Sequence, residues 1–281
     1  MKKTALITHV NTGIGLLTAM DLARAGVTVC MACNDHEQAE ASRNKILQVV
    51  PTAKIELYAL DLSSFASIRQ MVKEFSSKHQ YLDVLINNTD TGCIQQEVTQ
   101  EGFEPQFGIH YLGPFLLTHL LLPLLEATVA LKGEARILHA ASITHLVGKL
   151  NEKSFSGQLP YRPVAAYAQS KLASLMFNFT LARRLPAGIT THAFHLDGGD
   201  ACIWRKLPRL VYAFLRLFLT GTERVGILAV DLALGSSYKG ATGGYHSVQW
   251  PKAISRLARD QQKQDWLYQK SCELTCVTAL G

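Results

Sequence analysis

Short runs of small and apolar residues alternate with longer stretches of helical periodicity along most of the chain, and that alternation leaves few architectures open. Strand-like runs fall at Thr4–Thr8, Thr28–Ala32, Lys54–Ala59, Val84–Asn87, Arg136–Ala140 and Thr190–Phe194, with a last one near Gly243–Val248. Between them lie helical patterns at Ile14–Ala25, Asp35–Val50, Ser63–Lys78, Glu104–Leu125 and Ala165–Leu185. Strand and helix in this rhythm predict right-handed βαβ units and an α/β fold with a Rossmann-like, doubly wound parallel sheet. Uninterrupted apolar runs such as VLIN suit strands covered on both faces. With 281 residues, 48% of them hydrophobic, the chain can bury the core of one large domain. No internal repeat or linker divides it, so residues 1–281 are read as a single domain.

Only 18% of residues are charged and the net charge is +6, with no run of five or six basic residues. A nucleic-acid partner is not expected; an acidic cofactor or an anionic membrane surface suits the charge better. The opening MKKTALITHV has too short an apolar part for a secretory leader, which with six scattered cysteines predicts a cytoplasmic, reducing setting and no disulfide framework. Cys30 and Cys33 form a C-x-x-C on an apparent strand, where positions three apart face opposite ways and cannot easily share a metal. The same objection applies to His192 and His195, so no metal site is expected.

Two stretches break the alternation. Gly148–Ala165 is polar, contains two prolines, and reads as a long loop. Trp204–Leu219 is apolar with Arg205, Lys206, Arg209 and Arg216 interspersed, too short to span a bilayer. It reads as a lid over an apolar substrate pocket, spanning about 203–222, with peripheral membrane contact as the alternative.

In a doubly wound sheet, ligands bind beyond the carboxyl ends of the strands. After the first strand, the turn THVNTGIG can aim backbone N–H groups and a helix N-terminus at a pyrophosphate. His9, Asn11, Thr12, Gly13, Ile14 and Gly15 are its candidate cofactor residues; the glycines permit close approach and His9 adds bulk. Beyond the third strand come Asp61 and Leu62, where Asp61 accepts from an adenine amino group or caps the helix from Ser63. Beyond the fourth come Asn87, expected to hold a neighbouring strand and line the cofactor channel, and Asn88. Past the fifth strand stands Ser142, and 25 residues later Tyr167 and Lys171 lie four apart on one helix face. An ammonium beside a phenol lowers its pKa toward neutrality, so Tyr167 can exchange a proton with a carbonyl or alcohol oxygen that Ser142 hydrogen-bonds.

The segments NTGIG, MACND, DLSSFASIR, LDVLINN, FGIHYLGPFLLTHLLLPLL, ASITH, AYAQSKLA and DWLYQKSCEL, in this order, resemble the short-chain dehydrogenase/reductase family. Within it, the chain is most similar to the retinol dehydrogenase and protochlorophyllide reductase group. The resemblance implies an oxidoreductase acting on an apolar carbonyl or alcohol with NADP(H) or NAD(H), and a homo-oligomer. Tyr167 would be the general acid/base, Lys171 would bind the nicotinamide ribose and tune the tyrosine, and Ser142 would orient the carbonyl.

Several positions depart from that pattern. His9 stands for the family's first glycine. Asn34 stands where this group carries an arginine for the 2′-phosphate, and Cys33 where NAD-preferring members often carry aspartate. Thr89 and Asp90 replace Ala-Gly, and Leu196 and Asp197 replace Pro-Gly. His110 replaces the asparagine of the catalytic tetrad and is itself a candidate proton carrier. These departures leave cofactor preference open, together with two alternatives: acid/base chemistry without hydride transfer and without a cofactor, or a non-catalytic scaffold.

Overall fold

The computed structural model describes residues 2–11, 13–89, 98–196, 221–249 and 253–281. Seven parallel strands form one sheet: β1 (Thr4–Thr8), β2 (Thr28–Cys33), β3 (Ile55–Ala59), β4 (Val84–Asn87), β5 (Ala135–Ala141), β6 (Ile189–His195) and β7 (Gly244–His246). Their order is β3-β2-β1-β4-β5-β6-β7, so the winding reverses between β1 and β4. That reversal is the switch point at which this architecture opens a crevice. Each observed strand agrees with its expected span to within one or two residues at either end.

The helices are α1 (Gly13–Arg24), α2 (His36–Val49), α3 (Phe65–Lys78), the single turn α4 (Pro105–Phe107), α5 (Gly113–Lys132), the short α6 (Glu152–Phe155), α7 (Pro163–Arg184), α8 (Thr222–Leu234), α9 (Arg256–Arg259) and α10 (Gln261–Thr275). One face of the sheet packs against α1, α2 and α8 through Ile7, Met31, Ile86, Leu138 and Val225. The other packs against α3, α5 and α7 through Leu6, Leu85, Ile137, Leu121 and Leu175. Alternation along β2 sends Cys30 to the second face and Cys33 to the first, as the period of a strand requires. Burial pushes both thiols up, Cys33 to about 11.

Two expectations need correction. The helix read at Glu104–Leu125 is not one regular element: Glu104 caps α4, a π-helical turn spans Gly108–Leu112, and α5 continues to Lys132. The Glu104 carboxylate accepts from the Gln106 and Phe107 amides, both at 2.8 Å, which binds it to the cap and not to a helix interior. The run Pro105–Lys132 is long and apolar enough to cross a membrane by length and composition, but half of its most apolar stretch is buried in this core. The loop read at Gly148–Ala165 is also shorter than expected. Asn151 caps α6, and Pro163 opens α7, a position where its fixed φ and missing N–H cost nothing. The expected lid at 203–222 lies outside the described residues except for its last two positions.

Candidate active site

The turn after β1 shows how the chain copes without its first glycine. His9 takes φ +55°, the left-handed region that glycine normally fills. Its backbone is pinned at both ends: the N–H donates to the Ala32 carbonyl at 3.0 Å and the carbonyl accepts from Asn88 Nδ2 at 3.0 Å. The Asn88 N–H also donates to the Thr8 hydroxyl oxygen at 3.0 Å, so Asn88 stitches β1 to β4. Through Nδ2 its side chain also shapes the turn.

Gly15 is obligatory here, because a Cβ would fall 2.3 Å from the His9 carbonyl and 2.6 Å from Asn88 Nδ2. Gly13, at φ +60°, would place a Cβ in open space. The turn therefore presents the start of α1, with no acidic residue in its first turn, and among the described residues nothing lies within 4 Å of where a Cβ on Gly13 would sit. Ile14 buries its side chain in the core, leaving only its backbone for the turn. Asn11 lends its carbonyl to Ser42 Oγ at 3.0 Å while its buried Oδ1 has no partner. Thr12, Asp90 and Asp197 lie outside the described residues. At the end of β2, Asn34 is exposed just before the Asp35 cap of α2. Glycine cradle, helix start and strand-end position together fit a dinucleotide.

Asp61 does not cap α3. Its Oδ1 accepts from the Ser63 N–H at 2.8 Å and the Ser63 hydroxyl at 2.6 Å, closing a local turn, while Ser64 caps the helix that begins at Phe65. Leu62 is buried, and its carbonyl sits where a Cβ on Gly113 would lie 2.5 Å away.

Around α7 the polar residues converge. Tyr167, Ser170, Lys171, Ser174 and Asn178 follow helical spacing, and all are buried. Lys171 Nζ lies 5.5 Å from the Tyr167 ring centroid and donates to the Thr89 carbonyl at 2.5 Å. The Thr89 carbonyl, which residue identity alone does not point to, thus holds the ammonium beside the phenol. Ser142 follows β5 directly and caps the 3-10 turn Ile143–Leu146. That turn leads to Gly148, where a Cβ would meet the Ala168 carbonyl at 2.5 Å, so the segment after Ser142 packs directly on α7.

His110 sits in the π-helical turn, its ring edge-on to Tyr167 at 5.6 Å. Its Nδ1 is 3.0 Å from Ser170 Oγ, whose own proton goes to the Tyr167 carbonyl at 2.8 Å. Nδ1 is therefore the donor, and its proton is engaged. Behind it a narrow void is bordered by Asn87, His110, His139 and Ser174. Asn87 Nδ2 donates to Thr118 Oγ1 at 3.0 Å and faces His139 Nδ1 at 3.4 Å, tying β4 to α5 and β5. Burial pushes His139 down to about 3 and His195 to about 4, so both are neutral imidazoles.

The sequence profile of the short chain dehydrogenase family matches residues 3–198. The chain belongs to that family. It is 34% identical to retinol dehydrogenase 12 of Mus musculus, over 97% of this chain and 86% of the relative. It is 36% identical to polyprenol dehydrogenase of Homo sapiens, over 98% and 86% of the two chains. Among solved structures, a protein from Mycobacterium paratuberculosis superimposes with a TM-score of 0.79 at 29% identity, covering 98% of this chain and 94% of the other. The NADH complex of 3-ketoacyl-(acyl-carrier-protein) reductase from Brucella melitensis shares the fold, with a TM-score of 0.70 at 23% identity over 90% and 98% of the chains. This short-chain dehydrogenase is a nicotinamide-dependent oxidoreductase with a Rossmann-like sheet.

Proposed function

We propose that this dehydrogenase interconverts an apolar alcohol and its carbonyl compound, with Tyr167 as the acid/base group, Lys171 as its charge partner and Ser142 as the hydrogen-bond donor to the reacting oxygen. The observation that carries this reading is the buried Lys171 ammonium, locked by the Thr89 carbonyl and 5.5 Å from the Tyr167 ring. An adjacent cation favours a phenolate, which lets the phenol give or take a proton at the substrate oxygen. Ser142, at the strand end, supports the same oxygen as charge develops on it. His110, bound to Ser170, fixes the backbone beside Tyr167. The β1 turn and the start of α1 would hold the pyrophosphate of a nicotinamide cofactor, which when bound would supply or accept the hydride.

The relatives named for retinol and polyprenol direct the substrate class toward long, apolar, primary alcohols or aldehydes. Exposed Asn34 offers no charge to a 2′-phosphate, so the preference between NADP(H) and NAD(H) is expected to be weak. Purified protein given either cofactor and a series of retinoid and polyprenyl aldehydes is expected to consume the reduced cofactor. Tyr167→Phe should lower kcat by about 10²–10⁴ while leaving cofactor affinity intact. Absence of turnover with both cofactors over the whole series would overturn the reading.

A further inference from the structure

A second group of chemically capable side chains lies at the opposite rim of the sheet. β2 pairs with the edge strand β3 so that Cys30 stands opposite Glu56, and Tyr58 follows two residues later on the same face. α3 runs back across that face, and its C-cap, His79, lies toward the amino ends of the strands, shortly before β4 begins. His9, Asn88 and Ser142 all follow the carboxyl ends.

His79 Nε2 is 2.8 Å from Glu56 Oε2, 3.1 Å from the Tyr58 hydroxyl and 3.8 Å from Cys30 Sγ. The Tyr58 hydroxyl donates to the same Glu56 oxygen at 2.8 Å. One ring nitrogen offers a single N–H or a single lone pair, so hydrogen bonding serves fewer of these heteroatoms than surround it. A metal ion serves them together. The sulfur, the carboxylate oxygen and the ring nitrogen all lie within 4.8 Å of one another. Tetrahedral zinc, at ~2.3 Å from sulfur and ~2.0–2.2 Å from nitrogen and oxygen, separates its ligand atoms by roughly 3.3–3.6 Å. The spacings of 2.8 and 3.8 Å around Nε2 bracket that range, so small side-chain rotations suffice.

Thiolate, imidazole and carboxylate together suit zinc, whereas magnesium and calcium take oxygen ligands. The surroundings also fit. Cys30 is fully buried and the His79 ring stacks on Phe75 at 4.5 Å, which fixes two ligands. The Glu56 side chain is 40% exposed, which leaves an entry path and room for a water ligand. Lys78, whose Nζ lies 5.1 Å from the Tyr58 ring centroid, is paired with Glu74 at 2.7 Å.

We propose that Cys30, Glu56 and His79 form a binding site for a zinc-class divalent cation, with the fourth position open to solvent beside Tyr58. Binding breaks the Cys30 S–H bond and releases its proton to solvent. The thiolate, the imidazole lone pair and a Glu56 oxygen then donate to the ion, with no change of oxidation state. Occupied, the site ties the edge strand β3 and the end of α3 to β2, away from the hydride-transfer site.

The test uses the purified full chain, stripped with chelator and given Zn²⁺ or Co²⁺ alone. About one equivalent is expected to bind, with a thiolate-to-cobalt charge-transfer band for Co²⁺ and a concentration-dependent rise in thermal midpoint for Zn²⁺. Both signals should be lost in Cys30→Ala and in His79→Ala, and weakened in Glu56→Gln, which keeps the side-chain volume should either of the others fail to fold. Circular dichroism of each metal-free variant checks folding, and nicotinamide affinity should stay unchanged throughout. Absence of saturable binding, cobalt binding without the thiolate band, or an undiminished band in Cys30→Ala would overturn the proposal.

Discussion

At the scale of the residue, His9 shows what the altered nucleotide turn costs. A non-glycine residue in the left-handed region carries about 1–2 kcal/mol of strain, and His9 holds φ +55° because Ala32 and Asn88 bind its backbone on both sides. His9→Gly should relieve that strain, less the ~0.5–1 kcal/mol that glycine gives up in unfolded-chain entropy. The expected outcome is unchanged or slightly higher stability together with tighter nicotinamide binding, checked by thermal unfolding and cofactor titration. A clear loss of stability would show that the imidazole's own contacts outweigh the backbone strain. The bulk of His9 was legible in the sequence, but its backbone conformation was not, because two long-range hydrogen bonds impose it. Asp61 teaches the same lesson: its identity suggested a cap, while Ser64, three residues along, captures that role.

Elements were more legible than their interruptions. The strands stood out because each is a short apolar run between turn residues, and α7 because Tyr167 and Lys171 sit at helical spacing. Ser170 and Ser174 continue that spacing and complete a buried polar stripe along the helix. The π-helical turn at Gly108–Leu112 left no periodic trace, since one turn shifts the pattern by a single residue. Close packing borders the turn where it meets α5. Gly113 packs so closely that a Cβ would stand 2.5 Å from the Leu62 carbonyl and 3.3 Å from the Gly108 carbonyl. Gly113→Ala should therefore force backbone movement where α5 begins. It is expected to cost about 1–3 kcal/mol of stability and, by displacing Leu62 and the His110 turn, to weaken cofactor binding as well. Denaturant unfolding with and without nicotinamide separates the two effects. An alanine variant equal to the wild type in both would show that this packing does not constrain the turn. The Cys30, Glu56 and His79 group was invisible for a related reason: its members belong to three separate elements and meet only through the β2–β3 register and the packing of α3 across it.

Across the whole molecule, the buried imidazoles set the response to acid. His139 packs on the α5–α7 face with Nδ1 facing the Asn87 amide, which donates to it, so its neutral form carries the proton on Nε2. Protonating Nδ1 would set two N–H groups against each other in a fully buried place. Burial accordingly pushes His139 down to about 3, and His195 down to about 4, against an unfolded value near 6.5. Above that unfolded value both states are neutral and these residues contribute no slope. Between roughly pH 6.5 and 4 the unfolded chain binds protons that the folded chain refuses, so stability falls as pH falls, by up to about 1.4 kcal/mol per unit for each group. Glu56, which burial pushes up but the hydrogen bonds from His79 and Tyr58 hold below the usual carboxylate range, adds loss in the same direction at lower pH. Glu104, raised by burial, opposes it. Unfolding free energy measured from pH 7 to 4.5 should therefore decline, and His139→Gln should flatten the decline by about one proton's worth of slope. An unaltered slope in that variant would mean that His139 is charged in the folded protein, and that the packing around Asn87 accommodates an imidazolium.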